Sequence, residues 1–148
     1  MALALAGSGV QRGWVPAPDP SGMNILLVED DDDSRELMAE VLAIAGYAVH
    51  SVSSGPEALR SLAERSVDVV VTDLGMEGMG GLELARAAKA IAPSVPVLVV
   101  TGWAEREDVG RARGREVDAI LLKPVDPEAL TEVVAGMLAA RWHGSGVR

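Results

Sequence analysis

The chain has 148 residues, of which 49% are hydrophobic and none is Phe, so a single domain around one aliphatic core is expected. Its formal net charge of −9 argues against direct contact with nucleic-acid phosphates or an anionic membrane, both of which need clustered Lys and Arg. The absence of Cys removes disulfides, thiolate metal sites and Cys nucleophiles, and no apolar run approaches the ~20 residues of a spanning helix, so no membrane insertion is expected.

Residues 1–22 hold four Gly and three Pro without sustained periodicity and read as a flexible tail. The apolar start, MALALAG, has no basic segment before it and does not read as a signal peptide. From Met23 the pattern changes. NILLV is a compact apolar run, as in a strand buried on both faces. A helix follows with Leu37, Met38, Val41 and Leu42 on one face, and Gly46 stops it. YAVHSV reads as a strand, and PEALRSLAER as a helix with Pro56 in its first turn. DVVVTD, VPVLVVTG and AILLK read as further strands. GLELARAAKAIA reads as a helix, EREDVGRARG as a weak one interrupted by Gly110, and PEALTEVVAGMLAARW as a helix with Leu130, Val133, Val134, Met137 and Leu138 on one face. The domain is expected over 23–141, with a short tail over 142–148. Five strands alternating with five helices imply an α/β fold, a parallel sheet with helices on both faces.

The chemistry collects at the strand ends. The first strand runs into Glu29 and Asp30, the third ends at Asp73, the fourth at Thr101 and the fifth at Lys123. In a parallel sheet these carboxyl ends share one edge, and open α/β sheets bind ligands there, where the strand order reverses. Only the second strand lacks such a group, as expected of an outer strand. Converging carboxylates stay ionised only beside a compensating charge. A hard cation such as Mg²⁺ supplies it and prefers oxygen donors. A carboxylate beside a cation, an ammonium and a hydroxyl is set up to attack phosphorus and form an aspartyl phosphate.

These residues resemble the receiver domain of two-component response regulators. LLVEDDDDSREL is similar to that family's acidic turn, VVVTDLGMEGMGGLEL to its phosphoacceptor segment, VLVVTG to its Thr/Ser strand and ILLKPVDPEAL to its Lys-Pro segment. The spacings agree, with 43 residues from Asp30 to Asp73, 28 to Thr101 and 22 more to Lys123. The resemblance covers Met23 to Ala140. It implies a doubly wound, flavodoxin-like sheet of order 2-1-3-4-5 with helices on both faces. Asp73 is the implied phosphoacceptor. Asp30, Asp73 and the Gly75 backbone carbonyl are implied ligands of Mg²⁺ (or Mn²⁺), with Glu29 acting through water. Thr101 and Lys123 are implied partners of the phosphoryl oxygens, and the Lys123–Pro124 bond is implied to be cis. The implied phosphodonor is a sensor histidine kinase or a histidine phosphotransfer protein in the cytoplasm. An unidentified downstream protein is implied to read the face formed by the fourth helix, fifth strand and fifth helix.

The chain departs from the family pattern in two segments. An aromatic residue is usual three positions before the Lys, where Ile120 stands. The segment after the phosphoacceptor often reads M-P-x-M-D-G, whereas here it is MEGMGG, with Glu77 for Pro and Gly80 for Asp. This loop is expected to be looser, while Gly81 is kept. Asp31, Asp32 and Asp33 are expected to cap and start the first helix. Trp103 borders the site and is expected either to be partly exposed or to limit water access. Thr72 should pack on the opposite side from Asp73. His50 and His143 read as structural or surface residues, since neither follows a strand that bears the site and no Ser or Asp partner is placed for a triad. Ala104, Val109, Ala112, Ala119, Leu121 and Val125 are candidate contact or packing residues.

No effector segment is read after the receiver, so output is expected through protein contact or a phosphate relay, with a fragment of a longer hybrid kinase as the other possibility. An aspartyl-phosphate phosphatase usually needs a second Asp two residues on as general acid, and Gly75 stands there. A dinucleotide enzyme lacks its G-x-G-x-x-G. The chain is therefore not expected to be an enzyme beyond its own phosphorylation and dephosphorylation. The remaining alternative is a degenerate receiver that binds partners constitutively, favoured by Ile120 and the MEGMGG loop.

Overall fold

The computed structural model describes residues 22–102 and 107–146, with side chains through Arg141 apart from that of Glu107. Strands and helices alternate: β1 (Asn24–Val28), α1 (Asp32–Ile44), β2 (Ala48–Val52), α2 (Gly55–Glu64), β3 (Val69–Asp73), α3 (Gly81–Ile91), β4 (Val97–Thr101), α4 (Glu107–Ala112), β5 (Ala119–Leu122) and α5 (Pro127–Gly146). The sheet has the order β2-β1-β3-β4-β5 and every neighbouring pair is parallel. The expected α/β architecture and strand order are thus observed. After β1 the chain crosses outward to β2, then returns past β1 to β3, so the order reverses between β1 and β3. The loops that follow these two strands open onto the same crevice.

The interior strands explain the apolar runs. β3 and β4 are buried at every residue and β1 at all but Asn24, whereas the edge strands β2 and β5 are mostly half-exposed. Side chains alternate across the sheet. Ile25, Leu27, Val69, Val71, Leu98 and Val100 join α1 and α5 through Met38, Leu42, Leu130 and Val134. Leu26, Val28, Val70, Val97 and Val99 join α2, α3 and α4 through Ala58, Leu62, Leu84, Ala88 and Val109. The hydrophobic material is therefore split into two cores, one on each face of the sheet.

Asp31 caps α1, its carboxylate accepting the Ser34 amide at 2.8 Å, with Asp32 and Asp33 in the first turn. At the other end Gly46 follows the Ala45 cap with φ 106°, in the left-handed region that favours glycine. One residue of the expected apolar face is misplaced: Leu37 is 60% exposed. The buried stripe runs through Met38 and Leu42, flanked by Val41 and Ala45, and Leu37 lies about 100° round the helix from Met38. α4 spans six residues and carries Gly110 inside it rather than stopping there, while the segment before Glu107 lies outside the described residues. α5 continues beyond Trp142 to Gly146.

α2 starts at a polar pair that periodicity does not reveal. Ser54 Oγ accepts the Glu57 amide at 3.4 Å, and the Glu57 carboxylate accepts the Ser53 amide at 3.1 Å. Ser54→Ala should lower stability by about 1 kcal/mol, the usual loss for an N-cap. Urea unfolding of the two proteins checks this, with the midpoint falling and the slope unchanged.

Candidate functional site

The register of the sheet brings the chemistry together. Val28 pairs with Thr72, Asp73 with Val100, and Thr101 with Leu122, so Glu29 and Asp73 emerge at one level of the sheet edge, with Thr101 one residue and Lys123 two residues further along. Burial differs sharply along this edge. Glu29 is 1% exposed, Thr101 1% and Asp73 5%, whereas Asp30 and Gly75 are exposed on the loops. One oxygen of each of Glu29, Asp30 and Asp73 falls within 4.8 Å of the others.

Lys123 faces two of these carboxylates. Its Nζ lies 2.5 Å from Asp73 Oδ1 and 3.8 Å from Glu29 Oε1. Burial opposes the Lys123 charge, but the hydrogen bond and charge of Asp73, with Glu29 and Asp30 behind it, outweigh burial and raise its pKa above the usual lysine value. Glu29 is pushed above the usual carboxylate range, first by burial and then by the neighbouring Asp73 charge, against the Asp31 amide that its Oε2 accepts at 3.1 Å. Its other oxygen, Oε1, is buried with no hydrogen-bond partner. An orphaned buried carboxylate oxygen is costly unless a cation or an ordered water satisfies it. Three converging carboxylates and this orphan fit a hard divalent cation taking oxygen donors, and Lys123 alone covers only part of their charge.

The loops that carry the site are pinned. Arg35 reaches back from α1, its Nη1 donating to the Glu29 carbonyl at 2.9 Å and its Nη2 pairing with Asp32 at 2.6 Å. The Glu77 amide donates to Asp30 Oδ2 at 3.1 Å, across 47 residues of sequence. Met76 is buried in one core, and Met79 lies where a side chain on Gly55 would have to be. A Cβ on Gly81 would overlap the Asp73 carbonyl oxygen and come within 2.8 Å of Leu74 Cα. In the segment where Glu77 and Gly80 stand for Pro and Asp, Met76 and Met79 thus supply packing contacts.

The Lys123–Pro124 bond is cis. Thr72 is fully buried and its hydroxyl donates to the Asp73 carbonyl at 3.0 Å, a packing role. Val109 and Ala112 are buried core residues rather than surface contacts, while Leu122 is 56% exposed. Ala119, Leu121 and Val125 pack partly buried against the α1–α5 core, and Ile120 against the other. His50 does have a serine partner, Ser61 Oγ at 3.1 Å, which spacing did not place. That pair joins the middle of β2 to α2, away from the acidic edge, and remains structural. Trp103, Ala104 and the side chain of His143 lie outside the described residues, as do residues 1–21. Arg35 and the Glu77 amide were missed. The i,i+3 spacing of Asp32 and Arg35 was a readable signal, whereas a backbone amide has none.

A doubly wound parallel sheet of order β2-β1-β3-β4-β5 with an acidic crevice at its switch point, reached by a lysine from the edge strand, defines the class of flavodoxin-like α/β domains. The model of the response regulator receiver domain matches residues 25–135, and the chain belongs to that family. It is 35% identical over 111 residues to the transcriptional regulatory protein GlrR of Escherichia coli, which covers 75% of this chain and 25% of that protein. It is 33% identical over 113 residues to the sensor histidine kinase RcsC of Salmonella typhi, covering 76% of this chain and 12% of that one. A CheY-like receiver domain from Methanospirillum hungatei superposes with a TM-score of 0.76 at 27% identity, over 80% of this chain and 95% of that one. The chain thus spans about a quarter or less of these two longer relatives. Among the described residues no helix is long and apolar enough to cross a membrane.

Proposed function

We propose that this receiver accepts a phosphoryl group on Asp73 from a phosphohistidine of a sensor histidine kinase or phosphotransfer protein in the cytoplasm. The observation that carries this reading is the Lys123 ammonium set 2.5 Å from the Asp73 carboxylate and 3.8 Å from Oε1 of the buried Glu29, an oxygen with no hydrogen-bond partner. Asp30, Asp73 and the Gly75 carbonyl would hold Mg²⁺ or Mn²⁺, with Glu29 acting through water. A bound cation supplies the charge that offsets carboxylate repulsion and the charge on the phosphoryl oxygens.

The chain's own groups do the rest. A carboxylate oxygen of Asp73 attacks phosphorus in line, the P–N bond of the donor breaks, and its electron pair stays on the imidazole. Lys123 exchanges its partner from Asp73 to a phosphoryl oxygen. The Thr101 hydroxyl donates to another phosphoryl oxygen. Output passes by protein contact through the α4–β5–α5 face, on which Leu122 is exposed. The names of the relatives, a transcriptional regulator and a sensor kinase, fit a module that serves more than one kind of output. A second reading, constitutive partner binding, is favoured by Ile120, which puts an aliphatic side chain where a switching aromatic ring is usual.

Intact mass after incubation with Mg²⁺ and a small-molecule phosphodonor separates the two. Wild-type protein should gain one phosphoryl group, and Asp73→Asn or chelator-treated protein should gain none. No adduct, together with no binding of a beryllofluoride mimic, would leave only the constitutive module.

A further inference from the structure

We propose that the backbone amide of Glu77 is a positioning group for the cation site, clasping Asp30 across the crevice between the β1–α1 and β3–α3 loops. The inference rests on the receiver chemistry proposed above and concerns how this chain builds its cation site.

Asp30 is the weak point of the acidic group. Asp73 closes β3 and Glu29 directly follows β1 with its amide bonded to the Val52 carbonyl, and both are buried, but Asp30 is exposed on a bend. An exposed carboxylate samples several rotamers, and fixing one of them on ion binding costs entropy. Here the structure holds one of them: Asp30 Oδ2 accepts the Glu77 amide at 3.1 Å, and the carboxylate in this orientation has an oxygen within 4.8 Å of those of Glu29 and Asp73. The donor is itself well anchored. Met76 on one side of Glu77 is buried in the core, Gly78 on the other turns the chain at φ 76°, and Met79 packs against Gly55. The clasp therefore joins two supported loops and fixes the distance between the ligand on one and the phosphoacceptor strand feeding the other.

The identity of residue 77 matters for a reason that lies in its backbone. The motif this segment resembles places Pro there, and Pro has no N–H to donate. The exchange to Glu gives up a fixed φ and gains a donor aimed at a ligand. The Glu77 carboxylate is a poor candidate for the same job: the residue is exposed, and among the described residues the acidic group that can share an ion comprises Glu29, Asp30 and Asp73 without it. Hydrogen-bond partners that orient metal ligands are typically worth about 10- to 100-fold in metal affinity.

The test titrates Mg²⁺ calorimetrically into wild type, Glu77→Ala and Glu77→Pro, each checked for folding in chelator by urea unfolding. Glu77→Pro should bind Mg²⁺ about 10- to 100-fold more weakly, while Glu77→Ala, which keeps the amide, stays much nearer to wild type. Equal weakening in both variants assigns the effect to the side-chain charge and overturns the clasp, as does no change in either. Should Glu77→Pro fail to fold, amide hydrogen exchange decides. The Glu77 amide should be protected in metal-free wild type and fast in Asp30→Ala, and equal rates in the two overturn the inference. Wild-type protein that binds no Mg²⁺ sinks the receiver chemistry itself, an outcome distinct from wild-type binding that Glu77→Pro leaves intact.

Discussion

Lys123→Met should slow phosphoryl uptake by Asp73 about 10²- to 10³-fold, the usual loss when one preorganised group facing developing charge is removed. The side chain is placed for this role by β5, which ends at Leu122 in register with Thr101 and delivers the ammonium to Asp73 at 2.5 Å. Met keeps most of the stem and deletes the charge. The effect on cation affinity has the opposite sign. In wild type the ammonium competes with the ion for the same carboxylates, and its removal leaves Glu29, Asp30 and Asp73 uncompensated, so Mg²⁺ should bind as tightly or more tightly. Single-turnover phosphorylation at saturating Mg²⁺, with a parallel Mg²⁺ titration, separates the two quantities. A rate near that of wild type would mean that Lys123 serves only to neutralise the ion-free site.

Gly81→Ala should destabilise the fold by about 3 kcal/mol, the upper part of the range for overpacking a filled site. The Cβ would overlap the Asp73 carbonyl oxygen, and the nearby atoms are backbone, which cannot rotate away. The same contact explains how α3 begins. Gly80 gives the helix no side-chain cap, and the Gly81 amide instead donates to the Leu74 carbonyl at 2.8 Å, seating the first turn directly on the end of β3. Relief of the clash must move either α3 or the peptide that carries Asp73. The variant should therefore also take up phosphate more slowly while it is still folded. Urea unfolding measures the first effect and intact mass against time the second. A stability within about 0.5 kcal/mol of wild type would show that this junction yields without strain.

Several features were legible because backbone periodicity projects them onto the sequence. Apolar runs of strand length alternate with amphipathic stretches, and the polar residue that closes each run is where a strand meets its loop. Glu29, Asp73, Thr101 and Lys123 could be gathered at one edge on that basis, and the α1 cap could be read from Asp31. Leu37 could not be placed, because a helical face is set by what packs against it. The sheet and α5 meet the stripe through Met38 and Leu42, and Leu37, one position earlier, turns outward. His50 showed no partner because Ser61 reaches it from another element, within the packing of α2 on β2.

By itself the sequence determined the chemical repertoire of the protein: an α/β domain whose strand ends carry carboxylates, a hydroxyl and an ammonium, with no thiol and little aromatic surface. These follow from residue identity and local periodicity, which depend on near neighbours. Only the tertiary structure decided which of these groups touch: that Lys123 holds Asp73 while Glu29 keeps a buried oxygen without a hydrogen bond, that the Glu77 amide finds Asp30, and that Gly81 has no room for a methyl group. Such contacts join residues far apart in the chain, several through backbone atoms that every residue shares, and their geometry is set by how the strands align and how the helices seat on the sheet.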